Sequence, residues 1–264
     1  MERGDDAAGA AAPVAATAPL LLAFGANAFH QLGLLSSEDI TFPSVVRRLS
    51  ELQSPPVVCV SASLEHTVVV TADGVVRTCG SNERGQLARG DGGDGDLEVV
   101  SALDACTVVT AAAGGGFTLA ATADGRVFAW GDVSSLRLPG APPGGVARRP
   151  VAVRQLAGVA LGGPRPPFRV VSLAAGRRHA CLLTDTGAVF VCRASAGPSV
   201  ALAGRPVIQV GGDGRRRGCG VGGVPRLTCF EPITLTLTLT LIRLRLVRRT
   251  AYSSLRVASC VLRA

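Results

Sequence analysis

Lysine is absent from this 264-residue chain: all 27 basic side chains are arginine, against 19 acids, for a net charge of +8. That excludes a phosphate-binding loop, which needs its lysine. Aromatics are scarce, with one Trp, one Tyr and eight Phe. Only three histidines are present, His30, His66 and His179. No two of the eight cysteines (59, 79, 106, 181, 192, 219, 229 and 260) form a C-x-x-C pair, so zinc spacing is lacking. No run reaches the ~18 uninterrupted apolar residues of a membrane-crossing helix. The start, Met1-Glu2-Arg3-Gly4-Asp5-Asp6, has neither the basic opening nor the leucine-rich stretch of a secretory signal.

The positive charge is unevenly placed. Residues 205–264 carry 11 arginines against 2 acids, whereas residues 1–204 are close to neutral. The basicity therefore belongs to the tail, and the body offers no nucleic-acid-binding field. The cysteines fall within apolar runs such as Val58-Cys59-Val60 and Val191-Cys192, as small buried hydrophobes do. That usage suits a reducing compartment.

What is present is a repeat. Leu64–Gly74, Gly115–Gly125 and Arg177–Gly187 align without gaps, with His66, Phe117 and His179 each eight residues before the last glycine. The glycines lie 51 and 62 residues apart. Each copy follows an apolar run (Val57–Val60, Thr107–Thr110, Val170–Leu173) and continues into another (Val75–Cys79, Arg126–Trp130, Ala188–Cys192). The pattern predicts three short strands per copy, with strands near 66–71, 75–79, 117–122, 126–130, 179–184 and 188–192. Asp-Gly between β-like runs predicts a two-residue hairpin turn, because glycine supplies the positive φ. Gly and Pro interrupt every long stretch, and no 3.6-residue period persists. Small sheets of this kind must stack on their neighbours, as in a propeller or solenoid. The fold class expected is all-β.

Two loops are more distinctive. Gly25-Ala26-Asn27-Ala28-Phe29-His30-Gln31-Leu32-Gly33 and Gly80-Ser81-Asn82-Glu83-Arg84-Gly85-Gln86-Leu87 share Asn two residues after Gly and Gln-Leu at six and seven. With Thr71-Ala72-Asp73-Gly74 and Ala174-Ala175-Gly176-Arg177-Arg178-His179, these residues resemble the RCC1-like (regulator of chromosome condensation) repeat family over about residues 20–214. The resemblance implies β-propeller blades, about four of the family's usual seven. It also implies a protein partner, a Ran-type small GTPase among the candidates, and a cytoplasmic or nuclear location. The chain departs from the pattern where His30 and Ala88 replace motif glycines. Gly131–Leu138 has lost Asn and Gln, and Arg193–Leu202 has lost the motif. A partial fifth start is expected at Val207–Gly212.

The expected organisation is a disordered segment 1–18, a repeat domain 19–214 and a low-complexity tail 215–264. Within the tail, Ile233–Leu241 alternates Leu and Thr, and the phase flips at Ile242. Gly218-Cys219-Gly220-Val221-Gly222-Gly223 spells G-x-G-x-x-G, but Pro225 follows and no helical period opens, so a dinucleotide fold is not expected. His66 and His179 occupy equivalent repeat positions, which points to a structural role. His30 lies in a loop. Asp73, Asp124 and Asp185 are expected turn residues. Arg177-Arg178 and Arg215-Arg216-Arg217 could meet an acidic partner. No catalytic, cofactor-binding or metal-ligating residue is assigned, and the partner-binding residues are left open. The function expected is a non-enzymatic protein-interaction scaffold. The alternatives are guanine-nucleotide exchange on a Ran-type GTPase, and chromatin or nucleic-acid binding through the arginine-rich tail.

Overall fold

The computed structural model describes residues 21–46, 55–156, 159–160, 168–193, 199–202, 209–211, 220–222, 226–228 and 260–263. It is an all-β array of sheets, antiparallel except where Gln209–Gly211 pairs with Arg226–Thr228, with two single-turn 3-10 helices at Ser101–Leu103 and Ser134–Leu136 among the described residues. The segment expected to be disordered, 1–18, and the Leu/Thr stretch 233–242 lie outside them.

A first sheet holds β1 (Leu21–Gly25) and β2 (Ile40–Val45). The second blade follows as β3 (Val57–Ala62), β4 (His66–Thr71), β5 (Val76–Gly80) and β6 (Gly95–Val99). The third is β7 (Val108–Ala113), β8 (Phe117–Thr122), β9 (Val127–Asp132) and β10 (Val146–Ala152). After a hairpin of β11 (Gln155–Leu156) and β12 (Val159–Ala160) comes the fourth. It comprises β13 (Val170–Ala175), β14 (His179–Thr184), β15 (Val189–Arg193) and β16 (Ser199–Leu202). A small sheet contains β17 (Gln209–Gly211), β18 (Gly220–Gly222) and β19 (Arg226–Thr228). The last strand, β20 (Cys260–Arg263), pairs antiparallel with β1, Leu21 opposite Arg263.

Each complete blade is a meander in sequence order. Neighbouring blades touch through their first strands, β3 against β7 and β7 against β13. First strands therefore lie along the axis and fourth strands along the rim. β17 packs on β13 and β14, where the partial fifth repeat is expected. Among the described residues the sheets do not close into a ring, so the arrangement is a partial propeller.

Alternation explains the stacking. In a strand, neighbouring side chains point to opposite faces. Val69 on β4 joins Leu21, Ala23, Leu32 and Cys79 in a core against the first sheet. Its neighbours Val68 and Val70 join Val108, Ala120 and Trp130 on the other side. Leu119 and Ala121 then pack with Leu173, Leu182 and Phe190 of the fourth blade. β4 and β8 are buried along their whole length, which is why they read as continuous apolar runs rather than alternating ones.

Two expectations need correction. Blades two to four have four strands, not three; the rim strands β6 and β10 were not read from the sequence. The Asp-Gly hairpins are three-residue loops, not two. Thr71 N–H donates to Val75 O at 3.1 Å and Gly74 N–H to Thr71 O at 2.8 Å, with Gly74 at φ 84. This is a turn closed by a left-handed glycine, and the threonine hydroxyl decides the length. Thr71 Oγ1 donates to Asp73 Oδ1 at 2.6 Å, within reach of Val75 O. Thr122–Arg126 and Thr184–Ala188 repeat the loop.

Candidate interaction face

The Gly-x-Asn…Gln-Leu loops join the third strand to the rim strand. The polar residues the two loops share are not offered to a ligand. Asn27, Gln31, Asn82 and Gln86 are all buried. Asn27 Oδ1 accepts from Leu32 N–H and Asn82 Oδ1 from Leu87 N–H, each at 3.0 Å. Gln31 Oε1 accepts from Phe29 N–H at 2.9 Å, and Gln86 Oε1 from Arg84 N–H at 2.8 Å. The Asn amides donate to the carbonyls of Ser36 and Gly92 further along each loop. Loops 26–39 and 81–94 are therefore held from inside, and the side chains between Asn and Gln are pushed outward.

The glycine that opens each loop has a steric reason. A Cβ on Gly80 (φ 115) would lie 2.2 Å from Glu65 O, and one on Gly131 (φ 85) 2.4 Å from Gly116 O. The turn between first and second strands crosses directly over this glycine. The loop and that turn consequently share one end of each blade, and the Asp-Gly turns occupy the other.

His66 sits inside this end of the second blade. It is fully buried, with Nδ1 2.8 Å from Ser63 Oγ and Nε2 2.9 Å from Thr118 Oγ1 of the third blade. Thr118 gives its single proton to Gln86 O at 3.0 Å, and Trp130 Nε1–H donates to the same oxygen at 2.8 Å. The imidazole must therefore donate from Nε2 and accept at Nδ1. Burial holds it neutral, pushing its pKa down to about 3. This is an interblade strut, not a general base poised near neutrality. His179, the equivalent residue, is half-buried, and its ring packs over Gly176.

His30 takes the left-handed place that Gly85 fills in the next loop, φ 60 against 76. Its Nδ1 is 3.4 Å from Asp96 Oδ1 on β6, one blade further on. Asp73 and Asp124 are turn acceptors as expected, their carboxyls held below the usual range: by the Thr71 hydroxyl at Asp73, and at Asp124 by Thr122 and Arg126 against an opposing effect of burial. Asp185 lies one position earlier in its turn. Thr186 holds the aspartate place, 2.8 Å from Thr184 Oγ1, while Asp185 Oδ1 accepts from Arg169 N–H at 3.0 Å. Cys79, Cys181 and Cys192 are buried, and Cys59 and Cys106 are half-buried. Burial pushes the Cys79 and Cys192 thiols up to about 12, so neither is a reactive thiolate.

Among the described residues no cluster of His, Cys, Asp or Glu could hold a metal ion. None of their helices is long and apolar enough to cross a membrane. A cleft of about 200 Å³ between Asp73 and Cys106, at the Asp-Gly end, is smaller than the ~300–1,000 Å³ of small-molecule pockets. Gly220–Gly222 form a strand paired with β19, and among the described residues no helix adjoins it. Arg215–Arg217 lie outside the described residues.

What the loop end does offer is a row of outward side chains across three junctions. Phe29 is 39% exposed and Leu64 55%. The turn bearing Leu64 receives Gln31 Nε2–H on its carbonyl at 3.4 Å, so Phe29 and Leu64 flank one junction. At the next, Arg84 replaces Phe29 and donates to Gly115 O at 3.4 Å. Arg177 and Arg178, both exposed, occupy the positions of Leu64 and Glu65 in the fourth blade. In the sequence the arginine pair stands out, whereas Phe29, Leu64 and Arg84 do not. Their shared repeat positions were the signal available.

Residues 57–86, 108–135 and 170–192 match one family and residues 20–70 another, both described as Regulator of chromosome condensation (RCC1) repeat. The chain is 35% identical over 184 residues to the bovine secretion-regulating guanine nucleotide exchange factor. That match takes in 66% of this chain and 35% of the relative. Human WBSCR16 superposes with a TM-score of 0.60 at 22% identity, covering 72% of this chain and 50% of that one. Prp20p from Saccharomyces cerevisiae, whose structure was described with its binding properties to Gsp1p and histones, gives 0.59 at 17% identity, with 75% and 50% covered. The chain spans about a third of the length of the curated relative and half of each solved chain.

Proposed function

The chain belongs to the RCC1 repeat family, and from that premise we propose that it is a non-enzymatic scaffold binding a protein partner through its loop end. The supporting observation is the inward commitment of the motif Asn and Gln residues. They fix the loops from inside, while Phe29, Leu64, Arg84 and Arg178 stay at the surface. A rigid row of side chains from successive blades suits recognition of a folded or extended polypeptide. A cytoplasmic or nuclear setting, with reduced cysteines, is part of this reading.

Proximity labelling in cells tests it with the full chain and two double variants. Phe29→Asp/Leu64→Asp alters the loop end, and Asp73→Asn/Asp124→Asn the opposite end. The expected result is a defined set of labelled proteins lost with the first and kept with the second. Equal labelling by all three proteins overturns the proposal.

Guanine-nucleotide exchange is the second reading, favoured by the identity to a relative named as an exchange factor. Holding a nucleotide-free GTPase takes loops from several blades. Here the loop motif is complete in neither copy and gone by Gly131–Leu138. A fluorescent-GDP release assay with a Ran-type GTPase is expected to show the intrinsic rate. Saturable acceleration would establish exchange instead.

A further inference from the structure

The loop end is not uniform along the arc. Its first junction is apolar, built by Phe29 and Leu64. Its second is built around the glycine turn Gly114-Gly115-Gly116, and here both flanking blades contribute arginine. A Cβ on Gly116 would lie 2.8 Å from Arg84 Cδ, and one on Gly115 2.8 Å from Arg177 Cγ. The two side chains thus lie against the same turn from opposite sides, and only a residue without a side chain lets them do so. Arg178, also exposed, is the next residue along the chain.

Among the described residues no carboxylate is within ion-pair distance of Arg84 or Arg178, although Arg89, Arg126 and Arg148 each have such a partner. The acids near this end are Glu65, Glu83 and Asp132. Asp132 is turned into its own loop, accepting from Ser134. Neither Glu65 nor Glu83 is within ion-pair distance of Arg84 or Arg178.

We propose that Arg84 and Arg178 form a basic ridge beside the Gly115–Gly116 saddle that docks an acidic polypeptide segment, with Phe29 and Leu64 receiving an apolar residue at its end. The inference rests on the loop-end scaffold reading and specifies the partner's chemistry. Guanidinium groups pair with carboxylates in fork geometry. A row of them beside an apolar patch sets both attraction and direction, since only one orientation of the segment satisfies both ends.

The test is fluorescence anisotropy with the full-length chain. The probe is a labelled dodecapeptide of ten Glu/Asp residues ending in Trp-Leu. The arginine-rich tail could bind such a probe too, so the ridge is altered separately. Arg84→Glu/Arg178→Glu should weaken binding at least tenfold. Arg149→Glu, an exposed arginine on the rim strand β10, should leave it within twofold. Phe29→Ser should weaken the Trp-Leu peptide about threefold and leave an all-acidic peptide unchanged. A circular-dichroism melt confirms that each variant folds. Affinity unchanged in Arg84→Glu/Arg178→Glu assigns binding to the tail and overturns the proposal. A single-stranded DNA dodecamer that binds as tightly and is lost equally shows a general polyanion site and also overturns it. Should peptide binding fail while the labelled set is still lost with Phe29→Asp/Leu64→Asp, only the acidic-partner inference falls.

Discussion

In the second blade the residue that opens the second strand is His66, held between Ser63 and Thr118; in the third it is Phe117, with Gly114 beneath its ring. The backbones agree. Ser63 N–H donates to His66 O at 2.8 Å, and Gly114 N–H to Phe117 O at 2.7 Å. One blade keeps this corner with a polar network that reaches its neighbour. The other keeps it by filling the space with a ring, for which glycine must make room: a Cβ at 114 would lie 2.3 Å from that ring. The same turn can thus be stabilised by directed hydrogen bonds or by packing, and the two should fail differently.

The largest difference is expected from truncation. Phe117→Ala should cost about 3–5 kcal/mol, because it opens a cavity in a dry core between blades. His66→Ala should cost about 2–3 kcal/mol, from the lost imidazole hydrogen bonds and the space the ring leaves, since Thr118 and Ser63 keep their backbone partners. Urea unfolding of both variants at pH 7.5 measures the two; a smaller loss for Phe117→Ala would reverse the comparison.

Acid should separate the blades next. Unfolded His66 takes a proton near 6.5, while the native imidazole stays neutral to about 3. Between those values the unfolded chain binds more protons, so stability is full above 6.5 and declines as pH falls. The slope is at most about 1.4 kcal/mol per pH unit. Ser63→Gly/His66→Phe writes the third blade's solution into the second and should remove that slope. Comparing melts of wild type and variant from pH 7 to pH 5, above the carboxylate range, reads the effect; parallel curves would refute it.

A smaller contrast lies in the loops. Ala88 adopts φ 61 where the first loop has Gly33 at φ 65. A left-handed residue with a side chain costs about 1–2 kcal/mol, partly offset by glycine's looser unfolded state. Ala88→Gly should therefore raise stability by about 0.5–1 kcal/mol, read as an increase in Tm. No change would mean that the loop relaxes the strain elsewhere.

These contrasts also mark how far the sequence could be read. Strands β4, β8 and β14 are found where the expected 66–71, 117–122 and 179–184 put them, because a buried strand flanked by a left-handed glycine has a strong local signature. The rim strands escaped. Gly95–Val99 and Val146–Ala152 are half-exposed, carry Asp96, Glu98, Arg148 and Arg149, and follow long loops, so neither alternation nor apolar runs mark them. The extra turn residue was missed because the Thr71 hydroxyl, not the Asp-Gly pair, sets the loop. At the loop end the motif residues were legible but their direction was not. Nothing in Gly-x-Asn…Gln-Leu reveals that its amides point inward and that Phe29 and Arg84 between them point out.

The order in which strands run from axis to rim also matters while the chain is being made. Val68, Val70 and Val76 pack against residues of the third blade such as Ala120 and Trp130. At ribosomal rates of ~5–20 residues per second, the second blade waits several seconds for its cover. During that interval an apolar sheet face stands open near the ribosome exit. Slow codons before residue 108 would prolong the wait, and a chaperone that recognises valine-rich strands would find its substrate there.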